Sequence, residues 1–342
     1  MAISKIPSAG FQDNVKFRNL IINGDMSIGQ RGTSATGLGN GDSGYHTVDR
    51  WKFVESGSPT FEFTQSQSTD VPTGQGFATS LKMDCTTADA SLATDDLLRI
   101  MQVFEGQNLQ YLKKGTSSAE SLTASFWVKS SKTGTYICEL EDVDNNRTIN
   151  KSYTINSADT WEKKTITYDG DTTGAFDNDN AGSLVFTFYL LAGSNFSSGT
   201  LQTSWGTKTS ANRAVGQVNL ADSTDNEWLI TGVQLESGTA SDFEFLPVDV
   251  NLARCQRYFE NFSETIGYHI FLRGQLNEDT LGSVDIFFKQ TMRTEPSVSI
   301  TDTNVYTTQG LSINKKGFVS FGTLTSSSAT ARIDGYEADA EL

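Results

Sequence analysis

Strict alternation of apolar and polar side chains over residues 122–129 is the feature that most constrains the fold. In this segment, LTASFWVK, Leu122 and Phe126 share one face of an extended chain and Trp127 falls on the other. A period of two is that of a half-buried strand. Residues 184–191 and 228–235 are apolar almost throughout, as is typical of central strands covered on both faces. Turn clusters such as residues 144–146 and 170–174 separate these runs, and the pattern predicts an all-β sandwich or barrel.

Helical patterns are few, and the best of them divides the chain. Residues 105–113 predict a turn or two of helix. Residues 250–262 predict a longer helix, with Asp249 as its N-cap after Pro247. Its apolar face at helical spacing comprises Leu252, Cys255, Tyr258, Phe259 and Phe262. We therefore predict a short N-terminal segment (1–18), a β-sandwich (19–248), a linker helix (249–262) and a smaller C-terminal β domain (263–342).

Composition excludes several classes of function. The chain has only two histidines, which nearly rules out a His-based triad or a multi-His metal centre. Its net charge of −15 disfavours nucleic acid and anionic membrane surfaces as partners. No apolar run predicts a membrane span, and residues 1–10 lack the pattern of a secretion signal. The three scattered cysteines, Cys85, Cys138 and Cys255, are predicted to be small buried hydrophobes in a reduced compartment.

An ordered series of short motifs spans residues 19–260. They read NLIINGDM (19–26), QRG (30–32), DRW (49–51), EG (105–106), SFWVK (125–129), GDTTG (170–174), WLITGVQLESG (228–238) and ARCQRYFE (253–260). Together they resemble a widespread family of bacteriophage tail-fibre and virion structural proteins, which contain jelly-roll domains similar to galactose-binding and carbohydrate-binding modules. The resemblance implies a virion protein, assembled in the host cytoplasm and commonly homotrimeric. It transfers no ligand and no catalytic residue, and residues 263–342 match only loosely.

Three functions remain open at this point. The first is a non-enzymatic tail-fibre or receptor-binding subunit that recognises a host-surface polysaccharide. The second is a purely structural virion subunit, such as a capsid decoration, collar or fibre shaft, that binds no glycan. A distant third is a polysaccharide depolymerase, but none of the 41 acidic residues stands in a context that marks a catalytic acid, and no Gly-x-Ser-x-Gly elbow is present.

Aromatic side chains on outward faces are the candidate glycan-binding residues, because sugars stack their C–H faces on aromatic rings. Trp205 lies in a polar loop where nothing local requires a large aromatic residue. Trp127 and Tyr189 alternate with core-facing residues, which predicts that both point away from the core. The competing interpretation is that loops or a neighbouring subunit cover these rings.

The remaining candidate sites concern cations and partners. No cofactor is expected apart from a structural calcium, for which Asp25 is the candidate ligand, and residues 142–146 and 177–180 are acidic loops that hairpin turns also explain. Ile3, Ile6 and Phe11 lie in a segment of net charge +2 that we expect either to be disordered or to anchor the chain to other virion proteins. Homotrimerisation, implied by the resemblance, is also favoured by apolar residues near the C-terminus: Ile286, Phe287, Phe288, Val305, Phe318 and Phe321.

Overall fold

The computed structural model describes residues 17–262, 270–271, 281–302, 306–324 and 332–342. Thirteen strands form the first part of this described region. They are β1 (Ser34–Leu38), β2 (Gly44–Tyr45), β3 (Lys52–Ser56), β4 (Glu62–Ser68), β5 (Ser80–Thr87), β6 (Leu97–Glu105), β7 (Leu122–Ser130), β8 (Gly134–Asp142), β9 (Arg147–Ile155), β10 (Glu162–Tyr168), β11 (Gly182–Ala192), β12 (Gly206–Thr207) and β13 (Glu227–Ser237). The short helix α1 (Ser194–Ser197) follows β11, and two 3-10 turns (Gly106–Asn108 and Gln110–Leu112) follow β6. These turns match the short helical stretch predicted at 105–113.

The thirteen strands form two antiparallel sheets. One sheet has six strands in the order β1-β4-β5-β13-β7-β10, and the other has seven in the order β12-β9-β8-β11-β6-β3-β2. Some neighbours are consecutive hairpin strands, such as β8 and β9, but others, such as β5 and β13 or β6 and β11, are distant in sequence, so the chain crosses repeatedly between the two layers. The predicted jelly-roll β-sandwich is confirmed.

Aromatic residues fill the space between the sheets. Phe126 of the six-stranded sheet and Phe188 of the seven-stranded sheet are fully buried, with ring centroids 5.0 Å apart in an edge-to-face arrangement. Trp228 and Trp51 pack around Phe188 at 5.7 and 6.3 Å. Edge-to-face pairs stabilise a core beyond the area they bury. The inward face of the alternating segment 122–129 therefore has the role that its pattern predicts.

The last part of the described chain forms two small sheets. It begins with α2 (Val248–Gln256) and continues with β14 (Phe259–Phe262), β15 (Ile270–Phe271), β16 (Leu281–Phe287), β17 (Ser297–Asp302), β18 (Tyr306–Asn314), β19 (Gly317–Leu324) and β20 (Arg332–Asp339). In one sheet β20 pairs with β14, β15 and β17, and in the other the order is β16-β19-β18. A small β-rich C-terminal region is present, as predicted.

The predicted linker helix is wrong in its extent and its cap. Helix α2 ends at Gln256, and Pro247 rather than Asp249 is its N-cap. Phe259 and Phe262 lie on β14, because pairing with β20 outweighs their fit to the helical face. Asp249 instead lies in the first turn, where a carboxylate also favours the helix.

The apolar residues that favoured trimerisation divide between inside and outside. Ile286, Phe288 and Phe318 are buried in a core of the C-terminal region. Phe287 is 79% exposed and Phe321 is 36% exposed. Val305 lies outside the described residues. Among the described residues of this set, the two exposed rings are therefore the ones available for contact with another subunit.

Two further predictions concern the cysteines and the bilayer. All three cysteines are free and buried, as the sequence predicts. Among the described residues, no helix is long and apolar enough to cross a membrane.

Candidate functional site

Tyr189 does not lie on an open surface. Its side chain points away from the core, as the alternation predicts, yet it is fully buried. Residues 194–217 fold over this part of the seven-stranded sheet, and Phe196 and Ala214 pack with Tyr189. The Tyr189 hydroxyl donates to Glu139 Oε1 (3.2 Å), and Arg213 Nε donates to Glu139 Oε2 (2.8 Å). The prediction that Tyr189 binds a glycan is therefore wrong, because this segment excludes a ligand from the ring.

Trp205 lies half-buried at the edge of the sandwich core. Its indole Nε1 donates to the backbone oxygen of Asp169 (2.7 Å). The adjacent cavity, which Leu112 and Phe176 also line, has a volume of only about 20 Å³. A cavity of this size accommodates about one water molecule. The structure thus gives Trp205 a packing role, and the adjacent cavity has no room for a sugar ring. Stacking of a sugar on the exposed part of Trp205 stays a prediction.

A buried ammonium group lies in the same region. Lys114 Nζ donates to the backbone oxygens of Thr173 (2.8 Å) and Gly174 (2.7 Å), and it forms ion pairs with Asp142 (2.5 Å) and Asp171 (3.2 Å). Its side chain is 5% exposed. Four oxygens around one cation resemble the surroundings of a bound metal ion, but here the cation belongs to the chain itself.

Trp127 is a second predicted glycan-binding residue that, like Trp205, stays partly exposed. It lies on the outer face of the six-stranded sheet, opposite Lys163 of β10 and Thr231 of β13. It is in the other layer from Tyr189, so the predicted residues do not form one site. Trp127 remains a candidate glycan-binding residue, but it lines none of the principal cavities in the described part of the chain.

Asp25 lacks the surroundings of a calcium ligand. Its Oδ1 accepts hydrogen bonds from Ser27 Oγ (3.0 Å) and Asn251 Nδ2 (3.1 Å). Donors such as these satisfy a carboxylate, whereas calcium needs six or more oxygen acceptors. The part of the chain that the structure describes contains no group of three or more His, Cys, Asp or Glu side chains arranged to hold a metal ion. The acidic loop 142–146 forms the β8–β9 hairpin turn, with Asp142 accepting from Asn145 N (3.1 Å).

A groove with a volume of about 480 Å³ lies between the edge of the sandwich and the C-terminal sheet. Strand register places its floor residues on one face of three adjacent strands. Asp339 of β20 pairs with Phe259 of β14 and with Ser297 of β17. Two residues back, Glu337 pairs in the same way with Asn261 and Ser299. Directly opposed residues of antiparallel strands share a face, so carboxylates and hydroxyls form a polar floor.

The wall of the groove comes from the sandwich. Arg31, Tyr45 and His46 line it. The Arg31 guanidinium lies 3.5 Å from the Phe259 ring and 5.3 Å from the Tyr45 ring. The Tyr45 hydroxyl donates to the backbone oxygen of Leu342 (3.0 Å), and burial raises the pKa of this phenol. The wall therefore presents the aromatic ring of Tyr45, and the raised pKa keeps this side chain uncharged.

Buried polar contacts hold the floor and the wall together. Arg50, 1% exposed, forms an ion pair with Glu341, and its Nη2 donates to Val103 O (2.7 Å). The Arg50 guanidinium also stacks 3.5 Å from the Tyr258 ring. Gln30 donates its side-chain amide to Phe259 O (2.7 Å). These contacts keep the geometry of the groove fixed, as a recognition site requires.

Four of the eight motifs on which the family resemblance rests meet at this junction. Gln30 and Arg31 come from the QRG motif, and Arg50 comes from DRW. Glu105 of the EG motif accepts two hydrogen bonds from Arg257 of the last motif, at 2.8 and 2.7 Å. Arg50 pairs with Glu341 rather than with its neighbour Asp49, whose pKa is raised by burial although Gln30 donates to it. The arginines in these motifs are a sequence signal that could have pointed to this junction, but the sequence-based predictions did not rest on them.

A second groove of about 480 Å³ has different chemistry. It lies beside α2 and the end of β6, and its lining includes Phe17, Ile22, Val103 and Tyr111. Phe17 is 51% exposed and Tyr111 is 43% exposed. This lining suits an apolar protein segment better than a hydroxyl-rich ligand. Ile3, Ile6 and Phe11, the predicted anchor residues, lie outside the described residues.

Comparison with known proteins gives weak similarities only. No protein-family model and no curated protein matches the chain. Among solved structures, the chain is similar to the enzymatically active domain of tailspike protein 4 of bacteriophage CBA120, with 13% identity, a TM-score of 0.35, and coverage of 65% of this chain and 22% of that one. It is also similar to a putative sugar binding protein from Bacteroides thetaiotaomicron (12% identity, TM-score 0.36, coverage 64% and 100%). A family 11 carbohydrate-binding module of a Clostridium thermocellum cellulase gives 12% identity and a TM-score of 0.30, with coverage of 58% and 94%. Similarity at this level does not show what the present chain binds, and its fold is defined by its own two sheets.

Proposed function

We propose that this chain is a non-catalytic glycan-binding subunit of a bacteriophage particle, a tail-fibre or receptor-binding protein that recognises a host-surface polysaccharide. The observation that carries the glycan-binding part is the groove whose floor holds Ser297, Ser299, Glu337 and Asp339 beneath the aromatic wall of Tyr45. Carboxylates accept hydrogen bonds from sugar hydroxyls, and serine hydroxyls can both donate to them and accept from them. An aromatic ring packs against sugar C–H groups. A volume of about 480 Å³ accommodates a few sugar units, within the usual range for ligand sites.

The arrangement of the carboxylates supports binding over hydrolysis. Glycosidases place an acid and a second carboxylate on the two sides of the scissile bond. Glu337 and Asp339 instead lie side by side on one strand, and Asp339 is paired with Arg31 (2.9 Å). Such a pair contacts one side of a bound chain only.

The virion part of the proposal rests on the ordered motifs of residues 19–260. We further propose that the N-terminal segment attaches the chain to other virion proteins and that three copies assemble. The exposed Phe287 favours the assembly, since a ring that is 79% exposed gains by contact with another subunit. A solution mass of three times the 37.3 kDa of one chain supports the trimer, and a monomeric mass at micromolar concentration contradicts it.

The purely structural virion subunit is the second candidate, favoured by the same exposed Phe287 and by the cover over Tyr189. The two candidates differ in one property, the binding of sugar. They make the same prediction for location, so antibodies raised against this chain are expected to label purified phage particles in either case.

The test is a glycan microarray probed with the full chain and three variants. Glu337→Gln and Ser299→Ala change exposed groove residues, and Trp127→Ala is the matched control on the other sheet. Loss of a hydrogen bond to a charged group weakens binding by about tenfold or more, so Glu337→Gln should lower affinity by at least that factor and Trp127→Ala should not. If both groove variants bind glycan but Trp127→Ala does not, the binding site is on the outer face of the six-stranded sheet and not in the groove. Absence of binding to every glycan would leave the structural subunit as the better account.

A further inference from the structure

The charges that line the groove differ in how far they are open to a ligand. Arg31 is the lining cation, and its side chain is only 10% exposed. One of its nitrogens lies 2.9 Å from Asp339 and the other lies 3.5 Å from Glu341, while the guanidinium plane lies on Phe259. Two of its nitrogens therefore already face carboxylates of the protein, which neutralise its charge. A ligand anion would have to displace Asp339 to reach them.

The carboxylates are more accessible. Glu337 is exposed, and the Asp339 side chain is 42% exposed. Both project from the same face of β20, two residues apart, with the hydroxyls of Ser297 and Ser299 beside them on β17. The net charge that the described groove residues present to solvent is therefore negative.

Charged groups behind the lining do not reverse this sign. Arg50 is buried against Glu341, and Lys52 Nζ donates to the backbone oxygen of Leu342 (3.1 Å). His46 Nε2 donates to the backbone oxygen of Asp42 (2.7 Å). Arg293 donates to the backbone oxygens of Ala340 and Glu341, at 2.9 and 3.0 Å, and does not line the groove.

We propose that the groove selects glycans by charge: it binds sugars that are uncharged or carry an ammonium group, as amino sugars do, and it excludes sugars that carry carboxylate, sulfate or phosphate. The inference rests on the proposed glycan-binding function and adds the class of sugar. An ammonium group near Glu337 and Asp339 gains two charge-assisted hydrogen bonds, whereas an anionic group there meets two like charges. The chain's overall charge of −15 acts in the same direction at long range.

The experiment compares three forms of one glycan. The first form is the best neutral ligand from the microarray, unchanged. In the second form an amine replaces one hydroxyl, and in the third form one hydroxymethyl group is oxidised to a carboxylate. Titration calorimetry with the full chain, at low salt and at about pH 7, where a sugar amine is mostly protonated and ordinary histidines are mostly neutral, gives the three dissociation constants. We expect the amine form to bind at least as well as the neutral form and the carboxylate form to bind about tenfold more weakly or worse. High salt should narrow both differences.

Charge reversal at the groove is the decisive variant. Glu337→Lys replaces an exposed side chain, so the fold should persist, and it should raise the affinity for the carboxylate form and lower it for the amine form. Asp95→Lys is the matched control, because Asp95 is an exposed carboxylate away from the groove. The charge preference is overturned if the carboxylate form binds wild type as well as the neutral form, or if both lysine variants shift it equally. If no sugar of any charge binds, the proposed function itself fails, and that result is distinct from binding without charge preference.

Discussion

The ion pair of Arg50 and Glu341 should dominate the stability of the junction that forms the groove. Both side chains are nearly inaccessible to solvent, at 1% and 5% exposure. Removal of one partner from a buried pair leaves an uncompensated charge and costs about 3–5 kcal/mol. In Glu341→Gln the side chain keeps an oxygen that can accept a hydrogen bond from Arg50. We therefore expect a loss of unfolding free energy at the lower end of this range, about 3 kcal/mol. The same substitution also removes the charge that faces Arg31, but Arg31 keeps its ion pair with Asp339 (2.9 Å) and should contribute less to the loss.

A double-mutant cycle separates the pair from its surroundings. Arg50→Met and Glu341→Leu should each destabilise strongly, whereas the double variant removes both charges and should be destabilised by much less than the sum of the two, with the remainder due to the lost hydrogen bond to Val103 O. The coupling free energy is then several kcal/mol. Glu120→Gln is the control, because its pair with Lys113 is exposed at 40% and 55% and should contribute little.

Chemical denaturation gives these free energies. Far-ultraviolet circular dichroism and tryptophan fluorescence should be recorded together. Fluorescence reports on the buried Trp51, which lies next to Arg50 in sequence. Unfolding curves that coincide by the two methods support a two-state analysis. Additive effects of the two single substitutions, or a Glu341→Gln midpoint equal to that of wild type, would refute the assignment of this pair.

Three further predictions concern other parts of the sandwich. Lys114→Met should lower the free energy of unfolding by about 3 kcal/mol, because the variant leaves the buried Asp142 carboxylate without its cation, whereas Asp171 keeps its pair with Arg147 (2.7 Å); an unchanged midpoint in urea would contradict the four-oxygen arrangement. Although burial opposes ionisation of Glu162, the Lys164 ammonium and nearby amides hold its pKa at about 2, below the ordinary 4.5. The stability that Glu162 contributes should therefore be present above about pH 4.5 and lost as the pH falls towards 2, and a carboxyl NMR titration with a midpoint near 4.5 would disprove this. Burial raises the pKa of the Cys85 thiol to about 11 and that of Cys138 to about 12, so neither should react with a thiol reagent at pH 8 until the chain unfolds; rapid labelling of the native protein would show that the thiols are accessible.

The sequence predicted the sandwich because its evidence is local. Alternation over residues 122–129 places Phe126 in the core and Trp127 outside, and the structure has both as predicted. The same rule turns Tyr189 outward, but it contains no information about residues 194–217, which cover that face. Facing away from a core and being open to solvent are thus different properties, and only the first can be read from a period of two.

Long-range pairing explains what the sequence left out. The helical spacing of Phe259 and Phe262 is real, yet β20, some 75 residues later, recruits both into a sheet. The groove was missed for the same reason: Ser299 and Glu337 are far apart in sequence, and only the register of β17 on β20 makes them neighbours. Local patterns do not specify such registers.

The central claim is that a glycan binds between the sandwich edge and the C-terminal sheet. The most direct measurement is a crystal structure of the full chain with the best oligosaccharide from the microarray. The account predicts density for the sugar over Glu337 and Asp339, with a ring against Tyr45. Density over Trp127, with the groove empty at saturating ligand, would contradict it.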